Sequence, residues 1–141
     1  MEIVEIYAFQ PNASQKIPLY QMSVSAGKPV PVENEIDKVI DLNEFLVEHP
    51  AATFFARVRG TELKDVGIND DDILIVDRVK EPDDGKIVIV SIGGALSVKI
   101  YRNINGEIFL QSRNKQFLPM SIEPYMEFEL IGTVTKVIHS L

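Results

Sequence analysis

A few side chains in this sequence could do chemistry, and each is limited by its neighbours. In "RVRGTELKDV", Glu62 stands on a tight turn after Gly60, where a small nucleophile would be well presented. Lys99 lies in "LSVKIY" in the apolar company of Leu96, Val98 and Ile100. A lysine accepts a proton near neutral pH only if burial depresses its pKa by a few units. That company is compatible with depression, although by residue type alone a strand lysine belongs to a solvated face. Thr61 carries a hydroxyl one position from Glu62, but neighbouring side chains on an extended turn point to different faces. Ser91 and Ser97 are placed on strands.

Other chemistries are excluded by composition. The chain has no Cys, which removes disulfides, thiolate nucleophiles and Cys-based metal sites and fits a reducing compartment. Its two His, at 49 and 139, are too few for a His-rich metal site. His49 precedes Pro50 at a helix end, where it can face the terminal carbonyls, and His139 falls near a frayed terminus. "NDDDI" clusters oxygens at Asn69 to Asp72 but lacks the spacing and terminal Glu of a calcium loop, so a solvated turn is expected. No metal and no cofactor is expected. With 14 Lys and Arg against 21 Asp and Glu, and a net charge of −7, the chain has no footprint for a phosphate backbone, so no direct nucleic-acid binding is expected. No apolar run is long enough to span a bilayer, and the first residues carry acids where a leader would be basic, which predicts a soluble, cytoplasmic protein with no membrane partner.

The elements that must position Glu62 and Lys99 are mostly strands. Residues 1–40 hold half of the prolines, Pro11, Pro18, Pro29 and Pro31, and no sustained helical period, so they are expected to form an extended N-terminal arm. "DLNEFLVEHP" follows, with Asp41 and Glu44 at capping-box spacing and Pro50 closing a helix of about two turns. From Thr53 the segments "TFFARVRG", "DILIVDRV", "GKIVIVSIGG", "ALSVKIYRN", "GEIFLQSRN" and "MEFELIGTVTKVIHSL" are rich in Val, Ile and Phe and bounded by Gly, Asn and Asp. Asn105-Gly106 is a strong hairpin signal. Closely spaced strands without long helices predict a mainly β domain over residues 41–141, a curved antiparallel sheet closed as a small barrel or packed as a sandwich. The 141 residues suffice for one core.

The lead-in "DLNEFLVEHPAATFFARVRG", the block "GINDDDILIVD" and "ALSVK" together resemble the self-cleaving LexA and UmuD family of serine-lysine peptidases, most closely its UmuD-like members. The likeness runs from Ser23 to the terminal "GTVTKVIHSL" and implies the small barrel of that family's C-terminal domain. In the family a Gly-x-Ser-Met turn presents the nucleophilic serine and a lysine on a later strand is its general base. Lys99 matches that lysine. Gly60-Thr61-Glu62-Leu63 lies on the turn, so Glu62 occupies the serine's position and the chain is expected to be inactive. Ala26-Gly27 in "SVSAGKPVP" matches the bond the family cuts in its own chain, a small residue before a glycine that lets the backbone approach.

Three explanations fit Glu62: a naturally inactive paralogue, an engineered replacement of the serine, or a diverged site in which Glu62 and Lys99 form an ion pair. Such a pair would raise the lysine's pKa and switch the dyad off a second time. Only 26 residues precede the Ala26-Gly27 bond, which is short for a helix-turn-helix repressor domain. Signal peptidases share the chemistry but need a membrane anchor and an intact serine. The resemblance therefore implies an SOS-response accessory protein of an error-prone translesion DNA polymerase. Its partners would be a second copy in a homodimer, a UmuC-like polymerase subunit, and a RecA-type filament as activator of cleavage. The alternative is a non-catalytic LexA-like β interaction module in stress or phage regulation.

Overall fold

The computed structural model describes residues 1–10, 16–25, 28–112, 120–122 and 127–141; Ala26 and Gly27 lie outside these residues. It contains two compact units, one of Met1–Phe9 with His49–Leu141 and one of Gln10–Glu48. Strand β1, Glu2–Ala8, belongs to the first. In the second, β2 (Lys16–Ser25) and β3 (Lys28–Asp41) pair antiparallel, with Lys16 opposite Asp41 and Ser25 opposite Lys28. Helix α1 follows over Leu42–Leu46, a little over one turn rather than two. Its N-cap is Asp41, whose carboxylate accepts from the Asn43 amide at 3.0 Å.

The larger unit is an eight-stranded antiparallel sheet. After β1 come β4 (Thr53–Arg59), β5 (Ile73–Asp77), β6 (Ile87–Ile92), β7 (Ala95–Ile104), β8 (Glu107–Gln111), β9 (Met120–Ser121) and β10 (Phe128–Ile138). Their order in space is β1-β4-β5-β10-β6-β7-β8-β9, so the sheet is mainly β and antiparallel as expected, and hydrogen bonding leaves it open at β1 and β9. The hairpin at Asn105-Gly106 forms as the sequence predicts, with φ of 52° and 84° at the two turn residues. It sets Ile104 opposite Glu107 and Ile100 opposite Gln111.

Alternation along β6 and β7 divides the apolar side chains between two clusters. Ile89 and Val98 face each other across the strands and join Ala56, Val58, Leu63, Ile68, Leu74, Val76 and Ile100 in the principal core. Val88 and Val90, on the opposite face, pack with Leu110. Strand β10 bonds β6 through residues 128–133 and β5 through residues 133–138, with a register shift between Leu130 and Gly132. It crosses so closely there that a Cβ on Gly132 would lie 2.7 Å from Val76 Cγ1 and 2.9 Å from the Asp77 carbonyl oxygen.

Candidate active site

The turn after β4 is built around a glycine. Gly60 has φ of +123°, a region closed to ordinary L-residues, and its amide donates to Asp70 Oδ1 at 2.8 Å. Leu63 then inserts into the core with no exposed surface. Between the two, the Glu62 carboxylate folds back over Gly60, where a Cβ would stand 2.2 Å from Oε2. The carboxylate meets the Met1 ammonium at 3.4 Å and lines an open depression with Met1, Glu2, Arg59, Gly60 and Leu96. Glycine at 60 is thus required by the backbone, while the Glu62 carboxylate above it is the end of a flexible side chain that could shift.

Lys99 sits in mid-β7 directly opposite Val88, on the face of the Val88, Val90 and Leu110 cluster. Its stem is half-buried, and that burial alone holds the amine below its ordinary pKa. Nζ donates to Ser112 Oγ at 2.7 Å. Among the described residues no Glu62–Lys99 ion pair is seen, the third of the three explanations for Glu62. Each group has taken another partner, and the expected rise in the lysine's pKa is reversed, because desolvation acts on the amine with no carboxylate to offset it.

Both histidines are better placed than the sequence suggests. His49 Nδ1 lies 2.5 Å from Asp77 Oδ2, and His139 Nδ1 lies 2.6 Å from Asp72 Oδ1. The two aspartates flank β5 and are almost wholly buried, at 2% and 1% exposure. Asp77 Oδ1 also accepts from the Val79 and Lys80 amides, and Asp72 Oδ2 accepts from Asn69. Burial works to raise the Asp77 pKa, but the His49 hydrogen bond and the two amides outweigh it and hold the carboxyl below its usual range. "NDDDI" is accordingly a solvated turn only at Asp70 and Asp71; Asp72 is internal.

Ser112 is the side chain that sequence reasoning missed. A signal for it was present, since the two-residue turn at Asn105-Gly106 fixes the hairpin register and carries position 112 to the level of position 99. Ser97, two residues before Lys99 on the same strand, is opposite Val90, and Ser91 is opposite Leu96.

An open antiparallel β domain, with a nucleophile-type turn after one strand and a half-buried lysine on a later one, has the architecture of the LexA/UmuD C-terminal domain. Residues 18–135 match the Peptidase S24-like family, and the chain belongs to that family. It is 37% identical over 126 residues to Protein MucA of Salmonella typhimurium, covering 89% of this chain and 84% of the relative. It is 35% identical over 130 residues to Protein ImpA of Escherichia coli, covering 86% and 83%. The LexA repressor of Psychromonas ingrahamii is 31% identical over 118 residues, 83% of this chain but 56% of the repressor. Among the described residues no helix is long and apolar enough to cross a membrane.

Proposed function

We propose that this chain is a UmuD-like accessory protein of an error-prone translesion polymerase in which self-cleavage has been silenced. The observation that carries the reading is the divided state of the dyad. Position 62 holds a carboxylate on the family's nucleophile turn, whereas the Lys99 pKa is shifted downward by burial, the direction a general base requires. The base persists and the nucleophile is gone. Identity supports the accessory reading over the repressor reading, because the chain is 37% and 35% identical to MucA and ImpA but 31% identical to the LexA repressor.

In this reading the β domain acts as a cytoplasmic homodimer and engages a UmuC-like polymerase subunit. A RecA-type filament would normally stimulate cutting at Ala26-Gly27, and here it has no nucleophile to recruit. The test is intact-mass analysis after prolonged incubation in mild alkali. The unaltered chain should stay whole, and Glu62→Ser should release a fragment starting at Gly27. Combining Glu62→Ser with Lys99→Ala should abolish that cut. A Gly27 fragment from the unaltered chain, or a folded Glu62→Ser that remains whole, would overturn the reading.

A further inference from the structure

Lys99 has a hydroxyl within reach, though not the one its family provides. Ser112 Oγ lies 2.7 Å from Nζ, the separation needed for proton transfer between a nucleophile and its base. The register of β7 with β8 holds the two at one level, and Val88, opposite Lys99, belongs to a buried cluster with Val90 and Leu110. Ser112 itself is exposed, so a reagent can reach the hydroxyl without entering the core. The geometry points to Ser112 and Lys99 as a second serine–lysine pair, with Ser112 Oγ the nucleophile toward activated esters and other small acyl donors. This rests on the reading of Lys99 as a base, but not on cleavage at Ala26-Gly27.

The step balances without any further reagent. As Ser112 Oγ attacks the acyl carbon, its proton passes to neutral Nζ of Lys99 and the carbonyl π pair moves onto oxygen. Collapse of the tetrahedral adduct re-forms the carbonyl and expels the alcohol, which takes the proton from the Lys99 ammonium. Water then adds to the Ser112 ester, releases the acid and restores the hydroxyl. Burial matters because a solvated lysine would be almost entirely protonated near neutral pH and unable to begin.

The experiment is to treat the full chain with diisopropyl fluorophosphate, which phosphorylates an activated serine with loss of fluoride, and to map the modified peptide by mass spectrometry. Ser112 should be modified well ahead of Ser91 and Ser97. Its rate should rise about tenfold per pH unit and level off once the Lys99 amine is deprotonated. Lys99→Arg keeps the charge but cannot accept a proton, and should slow labelling at least about 100-fold. Ser112→Ala should remove the label. Labelling of Ser112 no faster than Ser91, a rate without the plateau, or an unchanged rate in folded Lys99→Arg would each overturn the proposal. If Lys99→Arg fails to fold, the pH profile of the unaltered chain decides alone. Self-cleavage of Glu62→Ser with Ser112 unlabelled would retain the proposed function and remove this inference; a labelled Ser112 in a Glu62→Ser chain that stays whole would do the reverse.

Discussion

The carboxylates at the two ends of β5 and the charged groups at positions 62 and 99 are treated oppositely by the same sheet. Asp72 and Asp77 are buried and held by several donors each, a histidine and one or two backbone amides. Glu62 keeps 30% of its side-chain surface, and Lys99 reaches only Ser112 among the described residues. A buried charge is tolerable when its lone pairs are filled, and it then contributes to the fold rather than to chemistry. A half-buried amine with one neutral partner is instead held below its ordinary pKa by desolvation. Asp72 and Asp77 are thus set apart from Lys99 both by their depth and by the number of donors that meet them.

The largest effect should follow from emptying a structural site. Asp77→Ala would strand the Val79 and Lys80 amides and His49 together, and should cost about 3–5 kcal/mol in chemical denaturation. Asp77→Asn retains an acceptor oxygen and should cost about 1–2 kcal/mol. Equal losses from the two would mean that the charge, not the hydrogen bonds, secures the end of β5.

Acid should find the same site next. The folded-state pKa of Asp77 is depressed, so its contribution is fully present above the unfolded value of about 3.9 and is lost as pH falls through the folded value. Denaturation midpoints measured from pH 5 downward should therefore fall less steeply in Asp77→Asn than in the unaltered chain. Parallel curves would sever the link between the His49 contact and acid stability.

What the sequence makes legible follows the same division between local and distant. Strands β4 to β8 and β10 are readable because each alternates and is bounded by turn residues, and Asn105-Gly106 sets a register within a few residues of itself. Strand β1 was hidden among the prolines that follow it: "EIVEIYA" is short and mostly exposed, and only pairing with β4 shows it to be a strand. The His49–Asp77 and His139–Asp72 contacts span 28 and 67 residues, beyond any local pattern. Glu62 and Lys99 could be found as a pair of positions only through the family motif, which assigns places to residues but not partners to their side chains.

A smaller and opposite effect is expected at Lys99. Its folded pKa is lowered, so the unfolded chain binds more protons up to about pH 10.4 and stability rises with pH across that interval. Lys99→Met removes the desolvation cost while keeping a stem of similar size. It should raise the melting temperature by a few degrees at neutral pH, about 1 kcal/mol or less. The gain should be greatest below the folded pKa and should vanish as pH approaches the unfolded value. A gain that does not shrink in alkali would assign the effect to packing against the Val88 face instead of to charge.

Glu62→Gln should change stability least, and it tests the comparison most directly. Glutamine keeps the shape that lies over Gly60 and the flexible reach into the depression, but removes the charge opposed to the Met1 ammonium. A partly exposed pair of this kind contributes about 1 kcal/mol at most, and less at high salt, so the denaturation midpoint should scarcely move. The informative readout is Lys99. Burial accounts for its depressed pKa without help from any carboxylate, so its titration, followed by NMR at the carbon next to Nζ, should be the same in Glu62→Gln as in the unaltered chain. If the lysine's pKa falls further by about one unit, the Glu62 charge acts on it across the fold, and the two sites form one electrostatic unit. An unmoved Lys99 would mean that the amine is tuned by its own strand and by Val88 opposite, independently of the residue at position 62.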